Sequence, residues 1–167
     1  MRRHALTSAL VLGGLLAAVA GWQRVHDGAA PIVHGTVVRA VDGDTIIVES
    51  GGRTEDVRLI GMDTPETVDP RRPVGCYGPQ ASAYTKHLLT GRRVTLAYDR
   101  VQRDRYGRYL AYVYLDGPPR VFVDARLVAL GYARTMAIPP NTAHAALFAH
   151  LERRAALAGR GLWSACA

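Results

Sequence analysis

The sequence predicts an α+β domain: a five-stranded OB-type Greek-key β-barrel packed by about three helices. Three observations carry that expectation. Short β-branched runs recur from residue 32 onward, bounded by Gly-containing turns. A helical pattern interrupts them after the third run. At 167 residues the chain is long enough for one domain with a substantial core.

Each element has a local reason. "IVHGTVVRAV", from Ile32, is β-branched and apolar, and Asp42-Gly43 is a tight hairpin dipeptide. "TIIVES" follows from Thr45, Gly51-Gly52 turns the chain, and "RTEDVRLIG" from Arg53 completes a meander. Arg58 alternates with Val57 and Leu59, so it projects from the other face of this third strand. Residues 61 to 76, rich in Pro and Gly, read as a long loop. Tyr77-Gly78-Pro79 opens a helix, with Pro79 tolerated in the first turn, an apolar stripe at Ala81, Tyr84, Leu88 and Leu89, and Gly91 as its end. "RRVTLAYD" and "RYLAYVYL" are two further strands separated by "RVQRDRYG". "VDARLVALG" is a short helix stopped by Gly131. "NTAHAALFAHLERRAALAG" is a longer one, capped by Asn141 or Thr142, with Leu147, Leu151, Ala155 and Ala158 on one face.

The N-terminus reads as an export signal. Arg2 and Arg3 precede the uncharged "HALTSALVLGGLLAAVAGW", and Ala18-Val19-Ala20 is a small-x-small cleavage pattern. As a helix, Ala5 to Trp22 would span roughly 27 Å, just under the ~30 Å hydrocarbon core. A cleaved signal peptide over 1–20 and an uncleaved membrane anchor therefore both stand. Either delivers the domain outside the cytoplasm: secreted, periplasmic or anchored, with membrane contact confined to this segment. Residues 21–31 read as a linker and 32–167 as the folded domain, expected to be a monomer. In an oxidising compartment the only two cysteines, Cys76 and Cys166, allow one intramolecular disulfide. Two free thiols, or an intermolecular bond through Cys166, are the alternatives. Without a CxxC or a Cys/His cluster, nothing argues for zinc.

The formal charge is +7, and Lys86 is the only lysine among 21 cations. Arginine forks carboxylates and phosphates in a way lysine does not, and a pI near 9.9 fits a polyanionic partner.

Against that basic background, two acidic clusters stand out. Asp42-Gly43 suffices for the hairpin in "VDGDT", so Asp44 is surplus to the turn. The stretch "VRLIGMDTPET", Val57 to Thr67, closes the third strand with Asp63, Thr64, Pro65 and Glu66. Both clusters sit at strand ends of one meander. Asp44, Asp63 and a backbone carbonyl are a ligand set for a hard cation such as Ca²⁺; without a cation, converging carboxylates would raise one another's pKa. Arg58, and Arg108 after Tyr106-Gly107, would clamp a phosphate and its pentacoordinate transition state. Taken singly, each of these residues also reads as an ordinary turn or surface charge.

Taken together, the motifs "VDGDT", "VRLIGMDTPET", "YGPQASAYTKHL", "DRYGRYLAYVYLDG", "LVALGYA" and "PNTAH", in this order, make the chain resemble the staphylococcal (thermo)nuclease family from about residue 34 to Trp163. The resemblance implies that Asp44 and Asp63 ligate Ca²⁺ through carboxylates and Thr64 through its carbonyl, with Asp42 behind them. It implies that Glu66 holds the attacking water and acts as general base. Arg58 and Arg108 would bind the phosphate, and Arg105 and Tyr106 would contact substrate. The implied activity is hydrolysis of DNA and RNA between phosphorus and the 5′ oxygen, leaving 3′-phosphate ends. The alternative is a non-catalytic nuclease-like module that binds nucleic acid. Such modules have lost the metal and arginine positions, whereas this chain keeps Asp44, Arg58, Asp63, Glu66 and Arg108. The loop after Glu66 is mobile in the family, and here it carries Arg71 and Arg72, either solvated charges or steering groups for the nucleic-acid backbone. One departure concerns base stacking: Met136, Ala137 and Ile138 stand where well-known members carry tyrosines.

Overall fold

A computed structural model of the chain describes residues 32–167; the expected export segment 1–20 and linker 21–31 lie outside the described residues. Alternation builds the first three strands, β1 (Ile32–Ala40), β2 (Thr45–Ser50) and β3 (Arg53–Leu59). Val37, Ile46, Val48, Val57 and Leu59 all turn inward and are buried. The three strands pair as an antiparallel meander. Then come β4 (Gly61–Asp63), α1 (Gly78–Leu89), β5 (Arg93–Arg103) and β6 (Tyr109–Leu115). β5 pairs with both β1 and β6. Parallel pairing of β3 with β6, with Val57 opposite Tyr109 and Leu59 opposite Ala111, closes the ring. The result is a closed five-stranded mixed barrel in the order β3-β2-β1-β5-β6, as the sequence predicts. Closure leaves none of these five strands with an unpaired edge over the paired stretch.

The chain then runs through β7 (Val121–Phe122), α2 (Val123–Ala129), β8 (Arg134–Met136), α3 (Ala145–Leu157) and the short α4 (Leu162–Ala165). α1 and α2 pack on the main core through Leu89, Val123, Leu127 and Val128. α3 adds Phe148 to a second cluster with Ile60 and Tyr112.

Several local expectations are corrected. The loop from residue 61 begins as strand, because Gly61–Asp63 pairs with Met136–Arg134. The fourth barrel strand does not break at Arg100: β5 continues to Arg103, and the turn is confined to Asp104–Arg108. Neither Asn141 nor Thr142 caps α3, whose N-cap is His144 without a side-chain cap bond. Asn141 instead accepts from the Val101 N–H at 2.8 Å and donates to the Val101 carbonyl at 2.7 Å. The inward face of α3 is the buried Phe148 and Ala155 with the half-buried Leu151, while Leu147 and Ala158 are exposed. On α1, Ala81 and Leu89 are buried as expected, and Thr85 joins them by donating to the Gly43 carbonyl at 2.8 Å.

Asp124, in the first turn of α2, is wholly buried. Its Oδ2 accepts from the Val113 N–H at 2.8 Å, and its Oδ1 has no partner. Burial pushes this carboxyl well above the usual range, despite the opposing pull of the Val113 N–H. A carboxyl with a raised folded-state pKa costs stability progressively as pH rises above its unfolded value, about 3.9. Asp124→Asn therefore raises Tm at neutral pH, with a gain that shrinks toward about pH 4. Thermal melts across that range check this; an equal effect at both ends contradicts it.

Candidate active site

Three segments meet at one end of the barrel: the β1–β2 turn, the end of β3, and the end of β4 with the loop after it. The turn is shaped by Asp42, whose Oδ1 accepts from the N–H groups of Asp44 at 3.0 Å and Thr45 at 2.7 Å. The Leu59 N–H donates to the Asp44 carbonyl at 2.8 Å, tying the turn to β3. Gly43 permits the approach to the third segment, since a Cβ there would lie 2.6 Å from Thr64 Oγ1. Asp44 thus points inward. Its Oδ2 accepts from both the N–H and the hydroxyl of Thr64, each at 2.8 Å.

Arg58 leaves β3 on the face predicted by alternation. Its Nη1 pairs with Asp44 Oδ1, and its Nη2 with Asp63 Oδ1 at 2.6 Å. One guanidinium therefore joins a carboxylate whose side chain is 2% exposed to one that is 51% exposed, so the site opens to solvent on the Asp63 side. Burial pushes the Asp44 carboxyl up to about 7, outweighing the pull of Arg58. Burial also works against the Arg58 charge, but Asp44 and then Asp63 hold its pKa above the usual value.

Pro65 brings Glu66 to the same rim. Glu66 Oε1 accepts from the N–H groups of Val68 at 2.7 Å, Thr67 at 2.8 Å and Asp69 at 3.1 Å. Those donors, Val68 first, hold its carboxyl below the usual range. The loop then folds back: the Gly75 N–H donates to the Glu66 carbonyl at 2.7 Å. A Cβ at Gly75 would sit 2.7 Å from Pro65 Cβ. The next residue, Cys76, is bridged to Cys166 with their Cα atoms 5.9 Å apart, inside the ~7 Å a disulfide requires.

Asp42, Asp44, Arg58, Asp63, Thr64 and Glu66 line one cavity of about 210 Å³, completed by Pro65, Arg72, Pro73 and Gly75. Arg105, Tyr106 and Arg108 are not in its wall. They stand on the β5–β6 turn, with Arg108 two residues before the Leu110 that lies opposite Arg58. Arg108 is held from behind, its Nε on Asp104 Oδ2 at 2.7 Å, while Asp104 Oδ1 accepts the Tyr106 and Arg108 N–H groups. The exposed Tyr106 ring has two guanidiniums near it, with Arg105 at 4.8 Å and Arg108 at 5.5 Å from its centroid. Sequence reading missed Asp104; the signal was its spacing of four residues from Arg108 across a Tyr-Gly turn. Met136 is taken up in the β4–β8 pairing opposite Gly61, and Ile138 is exposed.

Among the described residues no three His, Cys, Asp or Glu side chains are grouped to hold a metal. The expected set has only two carboxylates, Asp44 and Asp63, with a carbonyl from Thr64. Its chemistry still fits a hard cation, because every donor is oxygen. The two carboxylates converge on a single positive charge, that of Arg58.

The family described as staphylococcal nuclease homologue matches residues 56–165. The chain is 45% identical to a thermonuclease of Staphylococcus intermedius over 127 residues, 76% of this chain and 74% of that protein. It is 41% identical to a thermonuclease of Staphylococcus hyicus over 128 residues, 77% of this chain and 74% of that protein. With endonuclease YncB of Bacillus subtilis (strain 168) it shares 39% identity over 135 residues, 80% of this chain and 63% of that protein. A closed barrel with this cavity at its end, matched over these lengths, places the chain in the staphylococcal nuclease family, as a hydrolase of the nuclease class.

Proposed function

We propose that the protein is an exported, Ca²⁺-dependent nuclease that hydrolyses phosphodiester bonds of DNA and RNA and leaves 3′-phosphate ends. One observation carries this reading: Asp44, Asp63, Thr64, Glu66 and Arg58 share the wall of a single cavity. The relatives' names, thermonuclease and endonuclease, support the nucleic-acid substrate. Export rests on the N-terminal segment alone.

Asp44, Asp63 and the Thr64 carbonyl would hold the ion. When bound, Ca²⁺ supplies positive charge against the phosphoryl oxygens as negative charge builds on them. The protein does the rest. Glu66, kept ionised by three backbone donors, uses its Oε2, which has no protein donor among the described residues, to orient a water and take its proton. Arg58, whose Nη groups lie on Asp44 and Asp63, would share its fork between these carboxylates and the phosphate. Arg108 keeps its Nη groups free because Asp104 engages only Nε and the backbone N–H. Both guanidiniums then oppose the charge of the transition state. The water oxygen bonds to phosphorus, the bond to the 5′ oxygen breaks, and the 5′ oxygen takes a proton from solvent water, to which Glu66 gives up the one it removed.

Incubation with single-stranded DNA and with RNA tests the proposal. Hydrolysis is expected with Ca²⁺, stops on chelation, and yields 3′-phosphate termini. Full activity in excess chelator, or 3′-hydroxyl products, sinks it. Glu66→Gln is expected to lose rate far more than Ca²⁺ affinity; the reverse pattern removes Glu66 from the role of base.

A further inference from the structure

The loop between Glu66 and Cys76 presents its two arginines differently. Arg71 folds onto Asp69, with Nε on Oδ1 at 3.0 Å and Nη2 on Oδ2 at 3.1 Å, a bidentate pair that spends its fork internally. Asp69 Oδ1 also accepts the Arg71 N–H at 3.0 Å, and the Asp69 carbonyl accepts the Arg72 N–H at 3.1 Å. This local turn, anchored on Glu66 at one end and by the Gly75–Glu66 bond at the other, holds the backbone of Arg72 at the cavity. Among the described residues no carboxylate lies within ion-pair distance of the Arg72 guanidinium.

The cavity wall carries Asp42, Asp44, Asp63 and Glu66 against only Arg58 and Arg72, and Arg58 is already engaged by two carboxylates. Arg72 is thus the wall's one guanidinium with its fork uncommitted. Arg72 is exposed and lines the cavity, and an uncommitted planar fork there matches a second phosphate. We propose that Arg72 forms a phosphate subsite next to the reacting position and grips a neighbouring phosphodiester of a polynucleotide. This rests on the nuclease reading above and adds to it a preference for chains over single-diester substrates.

The test is the affinity of the full chain for a short single-stranded oligodeoxynucleotide, measured with chelator present between about 50 and about 200 mM salt. Wild-type protein is expected to lose affinity steeply with salt. Arg72→Ala lowers the slope of log affinity against log salt by ~0.7, the value of one single-strand phosphate contact. Arg71→Ala lowers it by much less, because Asp69 already neutralises that charge. In hydrolysis assays Arg72→Ala raises KM for the oligonucleotide more than for a dinucleoside monophosphate, and Arg72→Lys restores part of the difference. If Arg72→Ala leaves slope and KM ratio unchanged, or Arg71→Ala matches it, the subsite is refuted while the nuclease reading stands. If wild-type protein shows no salt-dependent binding and no hydrolysis, it is the nuclease reading that fails.

Discussion

Arg58→Lys lowers kcat on single-stranded DNA by about 10²–10³-fold with the fold retained, the scale seen when one preorganised transition-state donor is removed. Arg58 spans Asp44 and Asp63 with two separate Nη groups. A lysine ammonium is a point charge without a fork, so it cannot serve both carboxylates and a phosphate in this geometry. Arg108→Lys is expected to fall comparably, for a different reason. Its Nε is committed to Asp104, and only a guanidinium then still offers a planar pair of Nη groups to a phosphate, since the donors of a lysine all sit on one nitrogen. Steady-state kinetics with Tm as the control for folding check both. Wild-type kcat in both lysine variants would show that charge alone matters, or that neither side chain meets the phosphate.

Removing the disulfide has the largest expected effect on stability. The double variant Cys76→Ser/Cys166→Ser loses about 2–5 kcal/mol of unfolding free energy. The bridge joins residues 90 apart in sequence, and in the chain-entropy view a loop that long strongly restricts the unfolded chain. It also ties the end of the Glu66 loop to the residue that follows α4. Denaturant unfolding under non-reducing conditions measures the difference; an unchanged midpoint and slope would show that the bridge constrains nothing.

The barrel was legible because period-two alternation, with turn dipeptides, determines which face of each strand is buried. Arg58 could be assigned its face for the same reason. The β4–β8 pairing was not legible: three residues on each side carry no period, and only the tertiary fold brings Gly61 opposite Met136. Two further misses share one cause. Asn141 looked like a helix cap by type and position, yet its amide bonds both backbone groups of Val101. That recruitment lies on the same stretch where β5 runs on past the expected break, and it leaves α3 to start at His144. In the site, residue types and order picked out the carboxylates and Arg58, because their chemistry is written in "VDGDT" and "DTPE". What the sequence could not show was that Arg71 is spent on Asp69 while Arg72 is not, since the two neighbours differ only in where the loop turns them.

The claim that the Asp44–Asp63–Thr64 corner is the hydrolytic cation site is tested most directly by titrating Ca²⁺ against the rate of single-stranded DNA hydrolysis for wild type, Asp44→Ala and Asp63→Ala in parallel. The account predicts a saturable Ca²⁺ requirement in the wild type and near-total loss of rate in both variants, not restored by excess Ca²⁺. Wild-type saturation behaviour and rate in either variant would contradict it.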